Sequence, residues 1–225
     1  MTSSVTDDYL KFLYQASEER VSINKLASSM GVAPSTASEK IQRLAADGWV
    51  DHKPYRGASL TPKGRAHAVK MVRKHRLIET FLVEKLDYDW GDVHDEAEVL
   101  EHAASDRLID RIDAALGYPR RDPHGDPIPR PDGTVEDVNA VLLRDLPDGG
   151  CGTIYRISDA DSQMLRDLVD LQVRPGVPLK VLTRGRAGVT MVQVAGEAVP
   201  LGEEATCAIW VEVEGEANYE DERER

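Results

Sequence analysis

The chain is poor in cysteine, with 2 in 225 residues, and poor in aromatic side chains, at 5%. Cys151 and Cys207 lie far apart and form no C-x-x-C pair, so a disulfide framework is not expected and a reduced, cytoplasmic protein is. No apolar run approaches the roughly 18 residues that cross a bilayer, and no basic-then-apolar leader opens the chain. No membrane partner is therefore expected. The sequence also lacks a G-x-S-x-G elbow, a Walker loop and a G-x-G-x-x-G turn; the G-R-A-G run from Gly185 to Gly188 reads as a turn between strands. Nothing sets a nucleophile and a base beside an open coordination position, so no enzyme is expected.

What is present is charge, unevenly spread. The formal net charge is −12, yet residues 1–74 hold 12 Lys and Arg against 7 Asp and Glu, and the remainder holds 16 against 33. A basic head on an acidic body suits a DNA-reading module joined to a trunk that offers carboxylates to cations.

Periodicity and punctuation divide the chain. Thr6 or Asp7 can cap a first helix reaching about Ser17. A short helix from Ser22 to Met30 ends at Gly31, and a longer one opens at Pro34 and stops before Gly48. The stretch 49–60, with Pro54 and Gly57, reads as a hairpin. This order is a winged helix-turn-helix. In the predicted recognition helix, Pro34, Ser35, Thr36 and Ser38 are small enough to approach base edges, and Lys40 and Arg43 can reach phosphates. Glu39 could accept from a cytosine amine, although an exposed helix Glu is the commoner role. Arg56 at the wing tip is a phosphate or minor-groove candidate, or an ordinary turn residue. A long helix over about 62–86 and another over 93–116 follow. Their apolar stripe can bury against each other or against a second subunit. Residues 120–133 are rich in Pro, Gly and charge, as a linker or extended arm is. From Asn139 short strands alternate with one helix over about 161–171, the rhythm of a small, partly open β-barrel. The fold class is α+β: 1–72 a winged helix-turn-helix, 73–138 a helical dimerisation and metal-binding domain with a linker at 117–138, 139–215 an SH3-like barrel, and 216–225 a charged tail.

Two stretches carry metal-ligand chemistry. His75 and Glu79 are one turn apart, and His94, Glu98, Glu101 and His102 share a second helical stripe. A single E-x-x-E-H in an acidic protein is commonly a solvated face. Two imidazole–carboxylate clusters downstream of a DNA-binding pattern point instead to a divalent transition ion.

Five motifs are then in place: D-D-Y-L-K from Asp7, R-K-H-R-L-I-E from Arg73 to Glu79, V-H-D-E-A-E-V-L-E-H from Val93 to His102, H-G-D-P-I-P from His124 to Pro129, and R-P-G from Arg174 to Gly176. On these, nearly the whole chain resembles the diphtheria-toxin-repressor family of metal-activated transcription factors. It is most similar to the manganese-regulator branch. The resemblance implies a primary site at Asp8, Glu98, Glu101 and His102. It implies an ancillary site at His75, Glu79 and His94, with a fourth ligand to be sought in residues 158–164, where alignment points to Asp161 and an N-capping Asp on a surface helix is an equal alternative for that residue. Two sites per subunit, Mn²⁺ with Fe²⁺ as the alternative, a homodimer and double-stranded operator DNA follow from it. Iron-sensing members place a Met and a Cys where this chain has Asp8 and Glu98, and the all-oxygen-and-imidazole set here suits Mn²⁺. Some short manganese regulators carry a second carboxylate where this chain has Lys11, so a binuclear pair is not implied. The expected mechanism is that crowded carboxylates repel and loosen the packing until a cation ties the head to the dimer core. Repression of metal-uptake genes is the expected function. An iron regulator, a metal-storage or scaffold protein, and a sensor of a small organic molecule are the alternatives.

Overall fold

The computed structural model describes residues 3–16, 18–136, 138–185 and 188–213. The tail over 216–225 lies outside these residues. The chain divides into two compact units.

The first unit comprises residues 1–78, 97–117 and 128–135. Helix α1, Ser4–Gln15, begins earlier than a cap at Thr6 or Asp7 would allow. Ser3 is extended, and its carbonyl accepts the Thr6 and Asp7 amides at 2.8 and 3.1 Å. Thr6 and Asp7 therefore sit inside the first turn with their side chains free for other work, and both are buried. Helix α2, Ile23–Ser29, is capped by Ser22, and α3, Pro34–Ala46, opens on Pro at its first turn, where the missing amide costs nothing. Leu10, Leu26 and Ile41 close the core of this three-helix head. Strands β1, Val50–Lys53, and β2, Gly57–Leu60, pair antiparallel as the wing. Gly57 is required there: it has φ +83°, and a Cβ would meet the Val21 carbonyl at 2.2 Å.

Helix α4, Pro62–Leu86, leads out of the wing. The apolar stripe over 93–116 is not one helix but two, α5, Val93–Ala103, and α6, Asp106–Ala115. Ser105 breaks it: its backbone is extended and its hydroxyl accepts the Leu108 amide at 3.2 Å, an N-cap with Asp106 in the following turn.

The second unit comprises residues 79–96, 118–127 and 136 onward. Its six-stranded antiparallel sheet contains β3, Ala140–Leu142, β4, Cys151–Ile157, β5, Pro178–Arg184, β6, Thr190–Val194, β7, Glu197–Leu201, and β8, Ile209–Glu212. Their order is β3-β8-β4-β5-β6-β7. Pro200 is tolerated because β7 is an edge strand. Helix α7, Ser162–Asp170, supplies Leu165 and Leu168 to the core. A short helix α8, Glu203–Ala208, takes residues expected to start the last strand. The Pro-rich run after Tyr118 forms a tight loop over residues 122–126. Asp122 Oδ1 accepts the His124 and Asp126 amides at 2.9 Å, and Gly125, at φ +91°, lies so close to Tyr155 of β4 that a Cβ would be 2.2 Å from its carbonyl.

Candidate metal centre

Within the first unit, α1 brings Asp8 to the face of α5 that carries Glu98, Glu101 and His102. One donor atom of each lies within 4.8 Å of the others. Spacing explains this directly, because positions 98, 101 and 102 fall on one helical face. Burial pushes the Asp8 carboxyl above its ordinary range; His102 opposes that shift and Glu98 adds to it. Asp8 Oδ1 and His102 Nδ1 are buried without a hydrogen bond of acceptable geometry, although His102 Nε2 is 3.1 Å from Asp8 Oδ1. Buried polar atoms are rarely left so unless something outside the chain completes them. An all-oxygen-and-imidazole donor set that includes the orphaned Asp8 Oδ1 fits a divalent cation.

The acids are not bare. Lys11, three residues after Asp8 on the same face of α1, drives its ammonium between them. Nζ is 3.0 Å from both Glu101 oxygens, ion-paired with Glu98 and 3.4 Å from His75 Nδ1. His75 Nδ1 is in turn 2.6 Å from Glu101 Oε2. Burial would lower the Lys11 pKa, but Glu101 and Glu98 outweigh it and raise it. Lys11 thus compensates Glu101 and Glu98 from inside the cluster, while both acids still push the Asp8 pKa upward, so the expected repulsion persists at Asp8 beside an internal cation. The sequence signal for this cation is the D-x-x-K spacing of Asp8 and Lys11, which puts both side chains on one face of α1.

In the second unit, Glu79 is fully buried, and its Oε1 lies 3.3 Å from His94 Nδ1. The acid that meets His94 from the barrel is Asp159, at 3.1 Å, and not Asp161. Asp161 is engaged as the N-cap of α7, its carboxylate accepting the Gln163 and Met164 amides at 2.9 and 3.0 Å. Burial would lower the His94 pKa, but hydrogen bonds to Asp159 and Glu79 push it up to about 10. His75 stands one turn before Glu79 on α4, with Nδ1 turned to Glu101. Asp122 and His124 join Glu79 in a further set of donors. His124 Nε2 donates to the Trp90 carbonyl at 3.0 Å, and its Nδ1 lies 3.9 Å from Glu79 Oε2. Asp159, Asp122 and His124 were missed as candidate donors. The first hid beside an equally acidic neighbour, and the other two hid in a run that looked like a linker.

On α3, Pro34, Ser35, Thr36, Glu39 and Arg43 are exposed, as is Arg56 at the wing tip, and Ser38 is half-buried. Lys40 differs from expectation: its Nζ turns back to Thr6 Oγ1 at 2.7 Å. Glu39 and Arg43 pair only loosely, at 3.9 Å in solvent.

Three family descriptions cover the chain in order. Residues 1–58 match "Iron dependent repressor, N-terminal DNA binding domain", 61–130 match "Iron dependent repressor, metal binding and dimerisation domain", and 141–213 match "FeoA domain". Iron-dependent repressor IdeR of Mycobacterium tuberculosis is 32% identical over 221 residues, covering 92% of this chain and 96% of its own. The chain belongs to the iron-dependent, or diphtheria toxin, repressor family. The diphtheria toxin repressor of Corynebacterium diphtheriae is 30% identical over 191 residues, 80% of this chain and 84% of that one. A solved structure described as a manganese-dependent transcriptional repressor in complex with manganese superposes with a TM-score of 0.88 at 50% identity, covering 93% of this chain and all of that one. The fold is the family's α+β arrangement with an SH3-like FeoA domain, and the protein is a metal-dependent transcriptional repressor rather than an enzyme. Among the described residues no helix is long and apolar enough to cross a membrane.

Proposed function

We propose that the protein is a manganese-dependent repressor that binds operator DNA as a metal-activated homodimer and controls metal-uptake genes. The observation that carries this reading is the donor set. Asp8 and Glu98 stand where iron-sensing relatives are expected to use sulfur, so the primary site offers only carboxylate oxygen and imidazole. Hard donors of this kind suit Mn²⁺ better than softer ions. The manganese-dependent repressor structure, at 50% identity, is also much nearer in sequence than the iron-dependent relatives at about a third.

Asp8, Glu98, Glu101 and His102 are the primary ligands, and Glu79, His94 and Asp159 serve a second site, with His75 bracing Glu101. A bound divalent ion supplies positive charge between α1 and the Glu98–His102 turn. Asp8 then fixes the reading head through α1, while Lys11 must give up its contacts with Glu98 and Glu101. The exposed start of α3 enters the major groove, and two heads about 34 Å apart read successive grooves. Because metal favours the DNA-binding arrangement, DNA must favour metal binding by the same factor.

Operator binding titrated anaerobically with Mn²⁺ and with Fe²⁺ tests the assignment. Activation at lower free Mn²⁺ than Fe²⁺ is expected. A preference for Fe²⁺ at matched free concentrations makes the protein an iron regulator instead.

A further inference from the structure

Asp7 is a buried carboxylate that is not among the four donors of the primary centre. It is buried in the lining of a cleft of about 950 Å³ that Trp49, His67, Glu101 and His102 also line. One oxygen, Oδ1, is 2.7 Å from His67 Nε2, and the other, Oδ2, is 3.6 Å from His102 Nδ1. His102 thus presents Nε2 to Asp8 and Nδ1 to Asp7. A metal-bound imidazole normally donates its second N–H to a carboxylate or carbonyl, which fixes its ring and tautomer. Asp7 is the acceptor in position to do this.

The contact continues beyond Asp7. The His67 ring packs on Trp49 with centroids 5.3 Å apart and planes tilted by 57°. Trp49 is the junction of the two DNA-reading elements. Its amide donates to the Leu44 carbonyl in α3, and its carbonyl accepts the Thr61 hydroxyl and amide at 3.0 and 3.1 Å, just after the wing. Lys63 Nζ covers the ring at 3.8 Å.

We propose that Asp7 is a positioning residue that carries metal occupancy at His102, through His67, to Trp49 at the joint between recognition helix and wing. When His102 is held by its Nε2, its Nδ1–H closes on Asp7 Oδ2. Asp7 then holds the His67 Nε2–H through Oδ1, and the His67 ring sets the angle at which Trp49 leaves α3. The relay rests on the assignment of Asp8, Glu98, Glu101 and His102 as ligands, and it does not depend on which divalent ion binds.

The test follows Trp49 emission in full-length protein carrying Trp90→Phe and Trp210→Phe. Hydrogen exchange over residues 49–60 in the unaltered protein reports the same joint should those replacements disturb folding. In the parent, added Mn²⁺ is expected to change the emission and slow exchange across the wing. Asp7→Asn is expected to weaken Mn²⁺ binding about tenfold to a hundredfold, the usual cost of losing such a partner. His67→Leu, saturated with Mn²⁺, is expected to lose the Trp49 response and to bind operator about tenfold more weakly. His67→Gln, which keeps an N–H at similar reach, is expected to restore most of both. A full Trp49 response in metal-saturated His67→Leu, Asp7→Asn binding Mn²⁺ as tightly as the parent, or a metal-loaded parent with no wing response overturns the relay. Asp8→Ala taking up Mn²⁺ at the primary site like the parent overturns the ligand assignment instead, a result independent of the relay variants.

Discussion

The Lys11 ammonium nitrogen lies 3.0 Å from both carboxylate oxygens of Glu101, a side chain with essentially no exposure to solvent. A buried carboxylate needs a compensating charge, and Lys11 supplies one. The same ammonium competes with any cation that would use Glu98 and Glu101. Lys11→Met should therefore act in opposite directions on two quantities. Metal-free stability should fall by about 3 kcal/mol, because one partner of a buried pair is lost. Affinity for Mn²⁺ should rise at least tenfold, because no resident cation has to be displaced. Calorimetric melting in chelator and a Mn²⁺ titration read the two effects. Weaker Mn²⁺ binding would mean that Lys11 assists the ion rather than standing in for it.

His94 gives a pH dependence whose sign is fixed by its surroundings. Burial alone would lower its pKa, but Asp159 and Glu79 hold the protonated ring and push it up to about 10, from an ordinary 6.5. A group whose pKa is raised on folding stabilises the folded chain most fully below the unfolded value. That contribution fades as pH climbs towards the folded one. Metal-free protein should thus lose stability between about pH 6.5 and pH 10. Coordination needs the neutral ring, so Mn²⁺ binding to the Glu79, His94 and Asp159 set should release a proton and tighten with pH over the same window. Titration calorimetry near neutral pH, in buffers of different ionisation heat, counts that proton. Mn²⁺ binding at this set with no proton released would remove His94 from the ligands.

Much of this was legible in the sequence, and the failures have physical causes. Pro34 and Gly48 bracket α3 because each acts locally: one tolerates the first helical turn, the other ends it in the left-handed region. The Glu98, Glu101 and His102 stripe was visible for the same reason, since helical spacing alone sets a shared face. The break at Ser105 was not, because Ile109 and Ile112 keep the apolar stripe going across it while the cap is a single hydroxyl. Asp159 and Asp161 could not be separated by composition. Which acid caps α7 and which meets His94 depends on where that helix starts, and the helix begins at Ser162. Asp7 was misread for the mirror reason: a cap one turn earlier, at Ser3, frees it.

Arg73 sits in the same motif as His75 and Glu79, yet its contacts are structural. It pairs with Asp113 at 2.6 Å and donates to the Pro129 carbonyl at 2.8 Å, with both charged groups buried. Asp113→Ala should cost about 3–5 kcal/mol by stranding the guanidinium. The loss should be the same with and without Mn²⁺, in contrast to Lys11→Met. Denaturant unfolding in chelator and in excess Mn²⁺ compares them, and a metal-dependent difference would tie Asp113 to the metal centre.

Val99 on α5 and Leu108 on α6 are 70% and 50% exposed, in the segment matched by the dimerisation domain. Exposed single hydrophobics are ordinary, but these stand in a region whose relatives use it to dimerise, and Leu108 belongs to the stripe that also supplies Ile109 and Ile112 to the interior. In a twofold interface Leu108 is buried once on each protomer, and because it is already half-covered each burial contributes roughly 0.8–1.5 kcal/mol. Leu108→Asp would remove both contributions and set two carboxylates near one axis. The variant should dissociate at least a hundredfold more readily, as read by light scattering on a sizing column. Operator affinity should collapse with it, because a single head reads one groove and forfeits the second half-site. The Asp8 and Glu98–His102 donors all come from one chain, so Mn²⁺ uptake per chain is the internal standard. A variant that stays dimeric would move the interface to another face of these helices, and one that is monomeric yet still holds the operator at parental affinity would break the link between pairing and DNA recognition.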